Sequence, residues 1–183
     1  SLKWSMGRLL RTDAVPFTPK YRQRQETIKM LVIANPTDDL EAAYQEGIQI
    51  KNQFDRNRAH VSIDFKSTAV ETMFIKKNLA DYDLVHFAGH CEYIRDEPEK
   101  SGWVLKDGNF STADIITLGA SADFPLLIFS NACHSAVESA IVQQWDAGHA
   151  NHFTLASAFL YSGVRHYVGT IRRIEDPASF AFA

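Results

Sequence analysis

The sequence has few cysteines, and its histidines form no metal-binding pattern. Cys91 and Cys133 are the two cysteines among 183 residues, too few for a disulfide framework or, by themselves, for a structural zinc site. The seven histidines show none of the paired spacings of zinc fingers or HExxH helices. These absences favour a reducing compartment, which we take to be the cytoplasm, and they predict no metal and no other cofactor.

Long apolar runs and an excess of basic charge are also missing. No run approaches the roughly 18 residues that a membrane span needs, and the first residues lack a signal-peptide pattern. The net charge is -3, whereas nucleic-acid-binding domains normally carry a dense excess of Lys and Arg. We therefore expect no membrane and no direct nucleic-acid partner. Because the chain does not begin with Met, we also expect a piece of a longer protein, cut short at its C terminus.

Strand and helix patterns alternate along the chain. The nearly continuous apolar runs Ile28–Asn35, Leu84–Ala88 and Leu126–Phe129 are typical of strands covered on both faces. The other predicted elements are a helix through Phe54, a strand over His60–Phe65, a hairpin over Trp103–Phe110, a helix over Phe153–Ser162 and a last strand over His166–Ile171. This order predicts a doubly wound α/β fold, a mostly parallel sheet flanked by helices on both faces.

Three residue pairs resemble capping boxes, in which a small polar residue is followed three positions later by an acid. We predict from them that helices begin near Asp38 with Glu41, Thr68 with Glu71, and Ser111 with Asp114. The helix after Thr68 is predicted to bury Val70, Met73 and Phe74.

Two of the buried strands end in reactive residues. Leu84–Ala88 is followed by Gly89 and His90, and the strand ending at Phe129 is followed by Ser-Asn-Ala and then Cys133. A thiol with an ordinary pKa of about 8.5 is mostly protonated at neutral pH, and an imidazole beside it stabilises the thiolate or takes its proton. Cys133 lies 43 residues after His90, close to the separation of about 50 known for caspases. His90 and Cys133 are therefore predicted to form a catalytic dyad, with backbone N–H groups of Cys91 and Cys133 as oxyanion donors.

The motifs around these residues resemble those of CHAT domains, the caspase-like peptidase domains of clan CD that are often attached to TPR repeats. HFAGH at 86–90 and SNACHSA at 130–136 resemble the paired catalytic motifs of that family. LVIANPTDDL at 31–40, WVLKDGNFSTADI at 103–115 and LASAFLYSGVRHYVGTI at 155–171 resemble its first strand, hairpin and late helix. On this basis residues 28–183 are predicted to be the CHAT domain, and residues 1–27 an N-terminal extension or a fragment of an upstream part of it.

The resemblance implies a caspase-like fold and a cysteine endopeptidase that cleaves a protein substrate. It implies His90 as general base and acid and Cys133 as nucleophile. It also implies an effector or signalling protease that an activating partner, or a TPR or sensor region outside this chain, switches on.

Some residues depart from the family pattern or bear on specificity. Cys91 stands where the family usually has Gly after the catalytic His, and it is either a tolerated substitution or a regulatory thiol. Asn131, two residues before Cys133, is a candidate for the substrate pocket; being neutral, it argues against strict Arg or Lys specificity. Asp38 and Asp39 are further pocket candidates, although helix-capping acids are the simpler explanation of both.

Two other functions remain as alternatives. A catalytically silent interaction domain of the same fold is consistent with Cys91 beside His90. A nucleotide-binding domain is disfavoured because the turn after the first strand, at 35–38, has no glycine fingerprint for phosphate.

Overall fold

A computed structural model describes residues 26–57, 60–94, 96–132 and 155–170. Within these ranges the strands are β1 Ile28–Ala34, β2 Val61–Ser67, β3 Leu84–Ala88, β4 Cys91–Glu92, β5 Gly102–Leu105, β6 Gly108–Ser111, β7 Leu127–Asn131 and β8 His166–Gly169. The helices are α1 Glu41–Asn57, α2 Thr72–Asn78, α3 Thr112–Gly119 and α4 Leu155–Tyr161, with short 3-10 turns at Leu79–Asp81 and Pro98–Lys100. No helix in the described ranges is both long enough and apolar enough to span a membrane.

The main sheet has the order β2-β1-β3-β7-β8, and all its pairings are parallel. The chain moves from β1 to β2 on one side and then returns to place β3, β7 and β8 on the other side. The direction of winding therefore reverses between β1 and β3, and the carboxyl ends of these two strands flank a crevice. The predicted α/β fold with a mostly parallel sheet is confirmed.

Apolar side chains cover both faces of the sheet, as the continuous apolar run of β1 predicted. Leu31 and Ile33 point into a core shared with α2, α3 and α4, whereas Met30, Val32 and Ala34 point to the opposite face. The opposite face is covered by α1, which contributes the partly buried side chains of Ile50 and Phe54. Because these two sets alternate along one strand, helices lie on both faces of the sheet.

Helix α1 approaches the sheet closely at Gly47. A Cβ atom at this position would lie 2.6 Å from the Cβ of Ala34 and 2.6 Å from the ring of Phe65. Glycine removes this clash, so the backbone of α1 lies directly on β1 and β2. The neighbouring Glu46 is thereby carried into the interior, where it is 4% exposed.

The predicted hairpin is confirmed, but it belongs to a second sheet. Strands β5 and β6 pair around the turn before Gly108, whose φ of 136° favours glycine. Together with β4, which the sequence did not predict, they form an antiparallel sheet of order β4-β5-β6. Trp103 of β5 fixes this hairpin to the main sheet: its ring stacks on Phe87 at 4.4 Å, and its Nε1 donates to Ser130 Oγ at 2.9 Å.

Only one of the three predicted capping boxes is present. The Ser111 side chain accepts from Asp114 N–H and the Asp114 side chain accepts from Ser111 N–H, so this box is confirmed. The box at Asp38 is wrong, because α1 begins at Glu41 and the backbone N–H groups before it are bound by the side chain of Asn35.

The box predicted at Thr68 and Glu71 is also wrong. Helix α2 begins at Thr72, whose N–H and hydroxyl donate to the Asp107 carboxylate at 2.7 and 2.9 Å. The cap comes from the hairpin, 35 residues further along the chain, so no local sequence pattern could predict it. The later start also turns Met73 outward, where it is 52% exposed, while Val70 is buried and Phe74 partly buried.

Candidate active site

His90 lies just beyond the carboxyl end of β3, at the crevice between β1 and β3. The ladder between β3 and β7 extends one residue past the end of β3, because Gly89 N–H donates to the Asn131 carbonyl at 3.4 Å. The His90 side chain is 44% exposed. The buried strand β3 is thus followed by a solvent-accessible imidazole. A side chain that contacts a substrate must be accessible in this way.

The ring of His90 is held by Asp39. Its Nε2 lies 3.0 Å from Asp39 Oδ2, across 51 residues of sequence. A carboxylate accepts hydrogen bonds, so Nε2 carries the proton and Nδ1 keeps its lone pair in the neutral ring. This contact joins the loop after β1 to the end of β3. Of the two adjacent acids, Asp39 is the one whose carboxylate bonds the ring; Asp38 is exposed and turns the backbone at a φ of 64°.

The loop that carries Asp39 is braced by Asn35, the residue after β1. Asn35 is buried, has a φ of 54°, and donates its N–H to the Ala88 carbonyl at the end of β3. Its side-chain oxygen accepts from Asp39 N–H at 2.9 Å and from Leu40 N–H at 2.8 Å. One asparagine therefore fixes both the end of β1 against β3 and the backbone from which the Asp39 carboxylate projects.

The Asp39 carboxylate is ionised at neutral pH. A hydrogen bond from the Thr37 hydroxyl holds the pKa of Asp39 below its ordinary value; slight burial opposes this effect, and the bond to His90 reinforces it. The loop thus presents a negative charge to the imidazole.

The predicted nucleophile Cys133 and its neighbour His134 lie outside the described residues, so the pairing of Cys133 with His90 stays a prediction. The description of this segment ends at Ala132, which is buried and whose carbonyl accepts a hydrogen bond from the Thr170 hydroxyl. That bond ties the end of β7 to the residue that follows β8.

The register of β3 and β7 bears on the predicted pair. Leu84 is opposite Leu127 and Ala88 is opposite Asn131, so paired residues differ by 43 positions. His90 and Cys133 differ by the same number. Both reactive residues therefore stand two positions beyond the last pair of the same ladder.

Beneath this edge of the sheet lies a buried polar cluster of Glu46, His86 and Asn131. Glu46 Oε1 lies 2.5 Å from His86 Nε2, and Glu46 Oε2 accepts from Asn131 Nδ2 at 2.7 Å. Each of the three residues is 4% exposed. The cluster joins α1 to β3 and β7, and the His86 ring is also stacked on Phe129 at 5.1 Å.

Glu46 and His86 were not predicted from the sequence to lie near the candidate site. The available signal was the histidine inside the apolar run LVHFA, since a buried imidazole requires a hydrogen-bonding partner. Asn131, proposed for the substrate pocket, is buried here with its amide donating to Glu46. Its role in substrate binding stays a prediction.

Cys91, which follows His90, opens β4 at the edge of the hairpin sheet. It pairs with Trp103 in the antiparallel ladder. Because Val104 N–H donates to the His90 carbonyl at 2.9 Å, the ladder hydrogen bonds flank this pair, and Cys91 and Trp103 do not exchange backbone hydrogen bonds with each other. In such a pair the backbone N–H of Cys91 points away from β5. Its side chain is half-buried and packs against the main core. The predicted oxyanion and regulatory roles of Cys91 both stay predictions.

Two other features of the described part of the chain bear on ligands. Those ranges hold no cluster of three or more His, Cys, Asp or Glu side chains suited to a metal ion. A cavity of about 340 Å³ lies at the amino ends of the strands, opposite the edge that carries His90; it is lined by Lys29, Ser62, Asp64, Asp81 and Tyr82. Because this cavity lies at the opposite end of the strands from His90, we assign it no part in the chemistry proposed for His90.

Comparison with protein families identifies the family of this chain. The CHAT domain family model matches residues 6–183, almost the whole chain. The match begins upstream of residue 28, the predicted start of the domain, so most of the predicted extension falls within it. A search of curated proteins found no match.

Proposed function

The chain belongs to the CHAT domain family, a caspase-like and protease-related family, and on this premise we propose that it is a cysteine endopeptidase. His90 is its general base and acid, Cys133 is its nucleophile, and the substrate is a protein. The observation that carries the proposal is the shared offset of 43 residues, since the β3–β7 ladder and the His90–Cys133 pair have the same separation. Neighbouring strands in a sheet are about 4.8 Å apart, a spacing that suits proton transfer between side chains at their ends.

The proposed reaction has two halves. His90 takes the thiol proton, and the Cys133 sulfur forms a bond to the scissile carbonyl carbon, whose oxygen becomes an oxyanion. His90 then gives the proton to the amide nitrogen as the C–N bond breaks, which leaves a thioester. Water, deprotonated by His90, attacks the thioester, and the thiol is released with the carboxyl product.

The oxyanion would be stabilised by backbone N–H groups of Cys91 and Cys133. The first donor would belong to the residue that directly follows His90, where Cys91 opens β4. Removal of one such donor from a preorganised site typically lowers kcat about 10²–10³-fold. Trp103 and the hairpin that it anchors thus contribute to the position of a backbone donor, although they are far from the nucleophile in sequence.

A partner-controlled role is part of the proposal. The exposed imidazole of His90 and the loop that carries Asp39 lie at the carboxyl edge of the sheet. An effector protease must keep such a site inactive until a signal activates it. We propose activation by a partner protein, or by a TPR or sensor region of a longer protein, in the cytoplasm. The second candidate is a catalytically silent interaction domain, favoured by Cys91 at the position where the family usually has Gly.

The dyad is tested by the reactivity of the predicted nucleophile. A small thiol-directed electrophile should label Cys133 at neutral pH, and His90→Ala should slow this labelling about tenfold or more, because an ordinary thiol is only a few per cent thiolate there. Labelling is quantified by peptide mass spectrometry, so that Cys91 and Cys133 are scored separately.

His166→Ala is the matched control, since His166 is an exposed histidine at the opposite, amino-terminal edge of the same sheet. It should leave the labelling rate unchanged. Equal labelling of Cys133 in the wild type and in His90→Ala would exclude the dyad.

A further inference from the structure

We propose that Asp39 is the positioning residue for His90, so that the site works as an Asp39–His90–Cys133 relay rather than as a dyad. This inference rests on the proposed peptidase function and deepens it. It also assigns Asp39 a role other than the substrate-pocket or helix-capping role that its sequence context indicated.

The hydrogen bond between Asp39 and His90 has the geometry that a positioning role requires. Asp39 Oδ2 lies 3.0 Å from His90 Nε2, within the range of a charge-assisted N–H···O bond. By accepting from Nε2, the carboxylate selects the ring tautomer whose Nδ1 holds the lone pair. The general base for the Cys133 thiol is therefore Nδ1, and the ring cannot turn without breaking the bond to Asp39.

The loop after β1 holds Asp39 at both its backbone and its side chain. Asn35 binds the Asp39 N–H, and the Thr37 hydroxyl binds Oδ1, the carboxylate oxygen that does not contact His90. Asn35 and Asp38 both adopt positive φ, at 54° and 64°, conformations that non-glycine residues rarely take and that the surrounding structure must hold in place. A helix cap would need none of this, and α1 begins two residues later, at Glu41.

The charge of Asp39 also suits the proposed proton transfer. When Nδ1 receives the thiol proton, the ring becomes an imidazolium, and the ionised Asp39 stabilises this charge without accepting a proton itself. The proton passes from the Cys133 sulfur to His90 Nδ1 and then to the nitrogen of the leaving amine, while the Nε2 proton stays in the bond to Asp39 throughout. Because Asp39 is 57% exposed, solvent screens the interaction, and its effect should be far smaller than that of a buried third residue.

The test measures labelling of Cys133 in the full chain at neutral pH, using a small thiol-directed electrophile as probe. Asp39→Asn keeps the shape of the side chain but removes the charge and offers an amide donor to Nε2, which favours the tautomer protonated at Nδ1. We expect labelling about 2- to 5-fold slower than in the wild type, as suits a solvent-screened ion pair, and partial recovery in Asp39→Glu, which restores the carboxylate. Glu41→Gln is the matched control: it removes an exposed acid two residues away and should change the rate less than twofold.

A spectroscopic readout separates positioning from a general structural effect. The ¹⁵N shifts of His90 in the neutral ring should report protonation at Nε2 in the wild type and in Asp39→Glu, and loss of that preference in Asp39→Asn.

The outcomes distinguish this inference from the proposed function. If His90→Ala slows labelling and Asp39→Asn does not, or if Asp39→Asn labels faster, the relay is wrong and the dyad remains. If His90→Ala itself has no effect, the peptidase proposal fails before Asp39 is considered. An unchanged Nε2 tautomer in Asp39→Asn would also overturn the positioning role.

Discussion

At the scale of single residues, the least expected feature is a carboxyl group in the interior, at Glu46. Its two oxygens serve different strands, one contacting His86 of β3 and the other accepting from Asn131 of β7. Such polar clusters cost free energy to bury and are stable only when every member has a partner. Glu46 therefore holds the strands that carry His90 and precede Cys133 against the same helix.

Truncation of Glu46 should be strongly destabilising. Glu46→Ala leaves a buried imidazole and a buried amide without their acceptor, and we expect it to lower the free energy of unfolding by about 3–5 kcal/mol. The measurement is urea denaturation of the full chain. Glu41→Ala is the control on the same helix: its carboxylate is exposed and accepts a bond from Gln45 one turn later, so its effect should stay within about 1 kcal/mol. Similar losses in the two variants would show that the cluster does not support the fold.

At the scale of elements, the hairpin sheet connects the residue after His90 to strands β3 and β7. Strand β4 begins at Cys91, directly after His90, and β5 carries Trp103, which stacks on Phe87 of β3 and donates to Ser130 of β7. The hairpin turn also supplies Asp107 to the start of α2. The elements around the crevice are therefore positioned by contacts from a neighbouring sheet, not by the parallel sheet alone.

The contact between the hairpin turn and α2 should depend on pH. Slight burial raises the pKa of Asp107, but hydrogen bonds from Thr72 outweigh it, and the pKa lies below its ordinary value of 3.8. A carboxyl whose pKa is lowered by folding stabilises the native state above its unfolded pKa, and that contribution is lost as the pH falls through the folded pKa.

Asp107→Ala therefore tests this contact. At pH 7 it should lower the free energy of unfolding by about 1 kcal/mol, as expected for the loss of a helix cap. The difference from the wild type should begin to shrink below about pH 4, the unfolded pKa, and should be lost as the pH falls further through the lowered pKa of the folded carboxyl. Denaturation curves at several pH values measure it; a difference that stays constant down to pH 2 would contradict the assignment.

At the scale of the whole molecule, the winding of the sheet gathers the candidate residues. The reversal of strand order between β1 and β3 brings the loop after β1, with Asp39, beside the end of β3, with His90. The β3–β7 ladder adds the strand that precedes Cys133. Reactive groups from separate parts of the chain collect at the carboxyl edge for the general reason that ligand sites do so in doubly wound sheets.

The proposed peptidase function predicts cleavage products that depend on Cys133. In cells that express the full-length protein with its activating partner, a proteome-wide search for new protein termini should find some in the wild type that are absent in Cys133→Ala. His166→Ala should give the same termini as the wild type, because His166 lies at the opposite edge of the sheet. If the wild type produces no such termini even when activated, the silent interaction domain becomes the better interpretation.

Much of the architecture could be predicted from the sequence, because it depends on local patterns. The apolar runs of β1, β3 and β7 predicted strands covered on both faces. The glycine at 108 indicated the hairpin, and the pair Ser111–Asp114 predicted the start of a helix. The motif around His90 led to the family that the comparison confirmed. Each of these signals lies within a few residues of the feature it predicts.

The partners of individual polar side chains could not be predicted locally, because they come from distant parts of the chain. Asp39 meets His90 across 51 residues, Glu46 meets Asn131 across 85, and Thr72 is capped by Asp107 across 35. Local periodicity reports whether a segment is covered, but a specific hydrogen bond depends on strand order, register and the closeness of α1 to the sheet at Gly47. The pattern of apolar runs was therefore sufficient to predict that His90 follows a buried strand, whereas strand order and register were needed to show that Asp39 contacts His90 and that Glu46 joins His86 to Asn131.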